Sequence, residues 1–141
     1  MIIKGVKEML VWKDDYAVGV ELIDEQHKQL FVIGNKIYDL LENYLLDDKY
    51  DKIVLIIEEL KEYTKYHFQS EEQYMMQVKY SKLFSHKVEH DDFIAKIEET
   101  DFNAIDNNQE EFIRDLLLFV FNWISEHILQ NDKLITTHNE A

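Results

Sequence analysis

Residues 53–78 read IVLIIEELKEYTKYHFQSEEQYMMQV, and their spacing decides the fold. Ile53, Ile57, Leu60, Thr64, His67, Glu71, Tyr74 and Val78 follow one another at steps of four and three, the period of a single helix face. Charged residues such as Glu58, Glu62 and Lys65 lie off that line, so the spacing predicts a long amphipathic helix with the line turned inward. The inward face is not wholly apolar. His67 and Glu71 sit in it one turn apart.

Similar lines lie on either side. Upstream, Ile23, His27, Leu30, Gly34, Ile37 and Leu41 form a stripe for a first helix, with Asp24 as its expected N-cap. Asp47-Asp48-Lys49 then breaks the pattern and starts the second helix. Downstream, Leu83, His86, His90, Phe93 and Ile97 form a third stripe. The polar segment from Asp101 to Asn108 follows, with Asp106-Asn107-Asn108 as loop and cap, and Phe112, Leu116, Phe119, Trp123 and His127 form a fourth stripe. Four such stripes with short connections predict an all-α, antiparallel up-down-up-down four-helix bundle. The expected organisation is an irregular N-terminal arm over 1–22, packed on the bundle through Trp12 and Tyr16, the bundle itself over 23–135, and a polar tail over 136–141.

Composition agrees with one helical domain. The chain has 141 residues, 46% of them hydrophobic, with no proline and three glycines, so little in it breaks a helix. It has no cysteine, which excludes disulfides, thiolate zinc sites and iron–sulfur clusters and leaves nitrogen and oxygen as the donors for any metal. A formal net charge of −14 opposes nucleic-acid binding. The most apolar stretch, Leu116 to Trp123, falls short of the roughly 20 residues of a membrane helix, and nothing near Met1 reads as a signal peptide. The expectation is a cytoplasmic protein with no membrane insertion.

What interrupts the seams is informative. Five of the six histidines fall on predicted inward faces, spread over all four helices, and the sixth, His138, lies in the polar tail. Each alone has an ordinary explanation: a hydrogen-bonded core histidine for His27, an exposed i,i+4 pair for His86 and His90, a solvated ion pair for His67 with Glu71. Glu72 competes with Glu71 but lies about 140° from His67 around the helix, at 100° per residue. Together the five imidazoles are hard to explain as packing, because each buried ring nitrogen without a partner costs ~1–3 kcal/mol. Imidazole with carboxylate suits iron, zinc, copper or manganese, and the count exceeds the four ligands of a mononuclear zinc site. No Glu-x-x-His occurs, so the carboxylate-rich ferritin-like pattern does not fit. The pattern points to a histidine-rich dinuclear centre.

The segments Ile23-Asp24-Glu25-Gln26-His27, His67-Phe68-Gln69-Ser70-Glu71-Glu72, His86-Lys87-Val88-Glu89-His90 and Trp123 through Asp132 resemble the four ligand motifs of hemerythrins, in the right order. The resemblance extends back through Trp12 to Gly19-Val20 and is closest to single-domain bacterial members of that family. It implies that His86, His90 and His127 hold one iron, His27 and His67 the other, and that Glu71 and Asp132 bridge them beside an oxo or hydroxo group. Asp132, five residues after His127, comes from the resemblance alone. The same likeness implies reversible dioxygen binding for storage, delivery or sensing, with the iron pair cycling between Fe2+ and Fe3+. No enzyme activity is implied beyond a weak peroxidase-like one, and no protein partner is indicated. Phe68, Met75, Trp123 and Ile124 are candidates for the ligand pocket, with ordinary core packing as the alternative. Other readings are a di-iron enzyme reducing peroxide or nitric oxide, a module docking to a separate signalling protein, and a bundle holding zinc or no metal.

Overall fold

The structure, a computed structural model, describes residues 11–43 and 45–127. Asp132, His138 and the expected tail over 136–141 lie outside the described residues. Four long helices form the bundle: α1 (Glu21–Glu42), α2 (Tyr50–Gln77), α3 (Leu83–Glu98) and, after the short α4 (Phe102–Ile105), α5 (Gln109–Trp123). No strand occurs among the described residues. Helix α1 packs on α2 and α5, and α2 packs also on α3. Helices α3 and α5 meet through rings, with Phe93 stacked on Phe119 at 5.2 Å and tilted against Trp123 at 4.6 Å.

Every member of the expected α1 stripe is buried, from Ile23 to Leu41. The helix nonetheless begins earlier than Asp24, which is therefore not its N-cap. Val20 occupies that position without a side-chain cap, and Asp24 sits in the first turn. Its carboxylate accepts the backbone N–H of Val18 at 2.7 Å and of Gly19 at 3.3 Å. An acidic group there also faces the positive end of the helix dipole. Gly19 supplies the bend with a left-handed φ of 90°. Ahead of it, Trp12 and Tyr16 lie edge-on and tilted against Phe31 at 5.6 and 5.7 Å.

At the other end the turns are held by side chains. Asp48 accepts the Tyr50 N–H at 3.0 Å and the Gln109 amide at 2.9 Å, and the Gln109 carbonyl oxygen accepts the Lys49 N–H at 2.7 Å. Asn108 caps α5 through the Glu111 N–H, as its place in the loop predicts. The segment from Asp101 is more structured than a loop: Asp101 caps α4 through the Asn103 N–H, and Ile105 is fully buried.

Three stripes need correction. In α3 the buried face starts at His86, and Leu83 is only partly covered. In α2 the buried face continues from Glu71 to Met75, and Tyr74 and Val78 are only partly covered. In α5 the buried seam is Ile113, Leu117, Val120 and Ile124, one residue later than expected, while Phe112, Leu116, Phe119 and Trp123 form a half-buried flank. Residues 116–121 read LLLFVF, apolar around the whole helix, so periodicity could not choose the phase. Beyond Trp123 the chain widens into a π-type turn over 124–127, and His127 ends it on the buried side. No helix among the described residues is long and apolar enough to cross a membrane.

Candidate metal centre

The inward polar residues meet at one end of the bundle, near the start of α1 and α3 and the far ends of α2 and α5. His27, His67, Glu71, His86, His90 and His127 are all buried. They form two groups that share one carboxylate: Glu71 with His86, His90 and His127, and Glu71 with His27 and His67. Within each group one donor atom per residue lies within 4.8 Å of the others. Helical spacing produces this directly, since His67 and Glu71, and His86 and His90, are each one turn apart.

Glu71 divides the rings between its two oxygens. Oε1 lies 3.1 Å from His90 Nε2, 3.3 Å from His127 Nε2 and 3.9 Å from His86 Nδ1. Oε2 lies 3.3 Å from His67 Nε2 and 3.7 Å from His27 Nε2. The two nitrogens His90 Nε2 and His127 Nε2 stand 3.1 Å apart.

A second row of groups orients the rings. Gln26, buried beside His27 in sequence, places its Oε1 2.8 Å from His67 Nδ1. Glu72 places its Oε2 2.8 Å from His90 Nδ1, and Glu89 lies 3.5 Å from His127 Nδ1. Glu72 thus serves a ring on the neighbouring helix, which its outward angle from His67 had hidden. Amide and carboxylate oxygens only accept, so the protons of His67 and His90 sit on Nδ1. Their Nε2 lone pairs then face the Glu71 carboxylate at 3.3 and 3.1 Å, acceptor against acceptor. His67 Nε2 and Glu71 Oε2 accordingly make no hydrogen bond among the described residues.

The charges pose the same problem. Burial opposes ionisation of Glu71, yet the surrounding rings, His67 first, outweigh it and hold the carboxyl well below its ordinary 4.5. Burial makes the rings poor carriers of that positive charge: it pushes His67 down from 6.5 to about 4, and lowers His86 as well. Neutral imidazoles around a buried carboxylate are the protonation states in which these side chains bind metals. A cation between them satisfies the lone pairs and the carboxylate together. The donor set fits a nitrogen- and oxygen-bound metal.

Aromatic rings line this cluster. Phe68 stacks flat on His90 at 4.0 Å, and Trp123 stacks on His127 at 4.6 Å. Ile124 is buried in the main core, whereas Met75 packs with Tyr80, whose ring meets His86 edge-on at 5.4 Å. Trp123 also borders an open groove of about 290 Å³ with Glu89, Phe93, Lys96, Phe119 and His127.

The family model described as "Hemerythrin HHE cation binding domain" matches residues 18–137. The chain belongs to the hemerythrin family. A bacteriohemerythrin of Clostridium acetobutylicum is 50% identical to it over 125 residues, which span 89% of this chain and 97% of the relative. A bacteriohemerythrin of Pseudomonas aeruginosa is 33% identical over 123 residues, 87% of this chain and 76% of that one. A crystal structure of a hemerythrin variant superposes with a TM-score of 0.72 at 25% identity, covering 93% of this chain and 97% of its own. Hemerythrins bind non-haem iron, and the buried histidine–glutamate cluster is where this member is equipped to hold metal.

Proposed function

We propose that this hemerythrin binds dioxygen reversibly at a di-iron centre, for storage, delivery or sensing. The observation that carries the reading is the division of five imidazoles by one buried carboxylate, three facing Oε1 and two facing Oε2. On this reading His86, His90 and His127 would hold one iron and His27 and His67 the other, with Glu71 shared between them. Asp132, outside the described residues, would supply the second shared carboxylate, as family resemblance implies. The two-histidine side has fewer residues to hold an ion, so that side would be the one to take up dioxygen. Iron held by these residues would supply the two electrons that capture of dioxygen draws on.

The protein's own part is to hold the rings and to keep water out. Gln26 and Glu72 fix the tautomers, and Phe68, packed between His90, Phe93 and Trp123, walls the cluster with hydrocarbon. A dry site protects the bound state from protons that would make oxidation irreversible.

The test is to measure iron per chain and the optical spectrum of the reduced protein before oxygen, after oxygen and after vacuum. Two irons and an absorption that appears with oxygen and fades without it support the reading; irreversible oxidation alone sinks it. Replacing His67 by Ala removes one of only two imidazoles on its side of Glu71 and should abolish reversible oxygenation. Normal oxygenation of that variant would show the ligand assignment to be wrong. Rapid turnover of peroxide or nitric oxide would instead mark a di-iron enzyme.

A further inference from the structure

The groups that meet Nδ1 of His67 and Nδ1 of His90, on opposite sides of Glu71, differ in charge. On the two-histidine side His67 Nδ1 meets the neutral amide of Gln26, whose Oε1 is 2.8 Å away and almost wholly buried. On the three-histidine side His90 Nδ1 meets the carboxylate of Glu72 at 2.8 Å, with a second carboxylate, Glu89, 3.5 Å from His127 Nδ1. These lie on different helices, so the difference is not a by-product of one register. A carboxylate draws the Nδ1 proton more strongly than an amide oxygen does. The ring then carries more negative charge on Nε2 and becomes the stronger donor.

We propose that Gln26 and Glu72 are positioning residues that make the two halves of the site unequal, a strong donor set on the three-histidine side and a deliberately weaker one on the two-histidine side. The inference rests on the two-ion reading above. Glu72 raises the hold of His90 on its metal and favours the higher oxidation state there. Gln26 fixes His67 with the same tautomer but adds no charge, so an ion on the two-histidine side would be held less tightly and stay ferrous more readily. A glutamate at 26 would fit the same space. Its absence keeps His67 a weaker donor than His90.

The experiment titrates metal-free protein with Co2+, followed by calorimetry and the visible spectrum, and measures the midpoint potential of the iron-loaded protein. Wild type should show two unequal steps. Glu72→Gln should weaken the first step by about tenfold and spare the second, since loss of such a supporting acceptor costs roughly 10–100-fold in affinity. Gln26→Glu should tighten the second step by about tenfold, draw the two together and lower the potential. Gln26→Met, which keeps the volume and removes the acceptor, should weaken the second step alone, and it serves if the buried glutamate does not fold. Variants that match wild type in both steps and in potential would reduce these residues to packing and overturn the inference, as would equal weakening of both steps by Glu72→Gln. Uptake of a single Co2+ by wild type would overturn the two-ion reading, and this inference with it.

Discussion

At one end of the bundle Ile37, Ile53, Leu60, Ile97, Ile113 and Leu117 fill the space between helices with aliphatic carbon. A few turns along the same seams, Gln26, His27, His67, Glu71, His86, His90 and His127 fill it with nitrogen and oxygen. Thr64 marks the boundary on α2, its hydroxyl donated back to the Leu60 carbonyl at 2.7 Å. Each aliphatic side chain contributes about 1.5–3 kcal/mol on burial, whereas the polar end removes seven hydrogen-bonding groups from water and sets lone pairs against a carboxylate. The apolar end therefore folds the chain. The polar end is carried by it, and returns most of its stability when a cation is present.

The largest effect that follows is on metal removal. An ion at a thousand times its dissociation constant stabilises the folded state by about 4 kcal/mol, so chelation should lower the unfolding temperature while the helical content survives. Circular dichroism melts with and without chelator measure this, and equal melting temperatures would break the contrast between the ends. Next comes Leu117→Ala in the aliphatic half, expected to cost about 2–5 kcal/mol. It should cost the same with metal or without, as measured by denaturant titration. A loss that depended on metal would mean that the two ends are not separable.

Acid should act on the polar end selectively. The folded His67 titrates near 4 against an ordinary 6.5. Above pH 6.5 both folded and unfolded states leave it neutral, and it makes no difference to stability. As pH falls from 6.5 to 4 the unfolded chain takes a proton that the folded one refuses, and stability drops by on the order of 3 kcal/mol in the metal-free protein. His86 shifts in the same direction. Glu71, held below its ordinary 4.5, adds a further loss only as pH falls below that value. Denaturant midpoints of the metal-free protein between pH 7 and 4 should show the decline, and a flat profile would mean that the rings are not buried neutral.

Sequence spacing revealed the two ends unequally. The α1 stripe from Ile23 to Leu41 was legible because Glu25, Lys36 and Asp39 mark an opposite polar face, although the buried face is wider and takes in Gln26, Phe31, Ile33 and Leu40. The five histidines and Glu71 were legible because they interrupt seams that are otherwise apolar. The phase of α5 was not, since Leu116 to Phe121 offers no polar face to set against an apolar one. Ile105 was hidden in a segment whose composition reads as a loop. Gln26 and Glu72 lie next to His27 and Glu71 in sequence, but their partners are on other helices, and only the packing of α1 on α2 and of α2 on α3 reveals which ring each one holds. Asp132 followed from the family motif, a signal that period counting does not contain.

The smallest effect concerns the connections. Turns at the aliphatic end are held by Asp48, Asp101 and Asn108, but in the turn from α2 to α3, at the metal end, α3 starts without a side-chain cap and the backbone pairs with itself. The Tyr80 N–H reaches the Met75 carbonyl at 2.9 Å and the Lys79 N–H reaches that of Met76 at 3.2 Å. This pairing requires a left-handed residue between them. That residue is Lys79, with a φ of 55°, where a Cβ is disfavoured and glycine is not. Lys79→Gly should therefore stabilise the protein, by about 1 kcal/mol once the extra freedom of glycine in the unfolded chain is offset. Equilibrium unfolding at pH 7 reads this out. A gain of the same size with and without metal would place the strain in the helix turn, and a gain confined to the metal-free form would show that holding His86 over Glu71 is what keeps the turn strained.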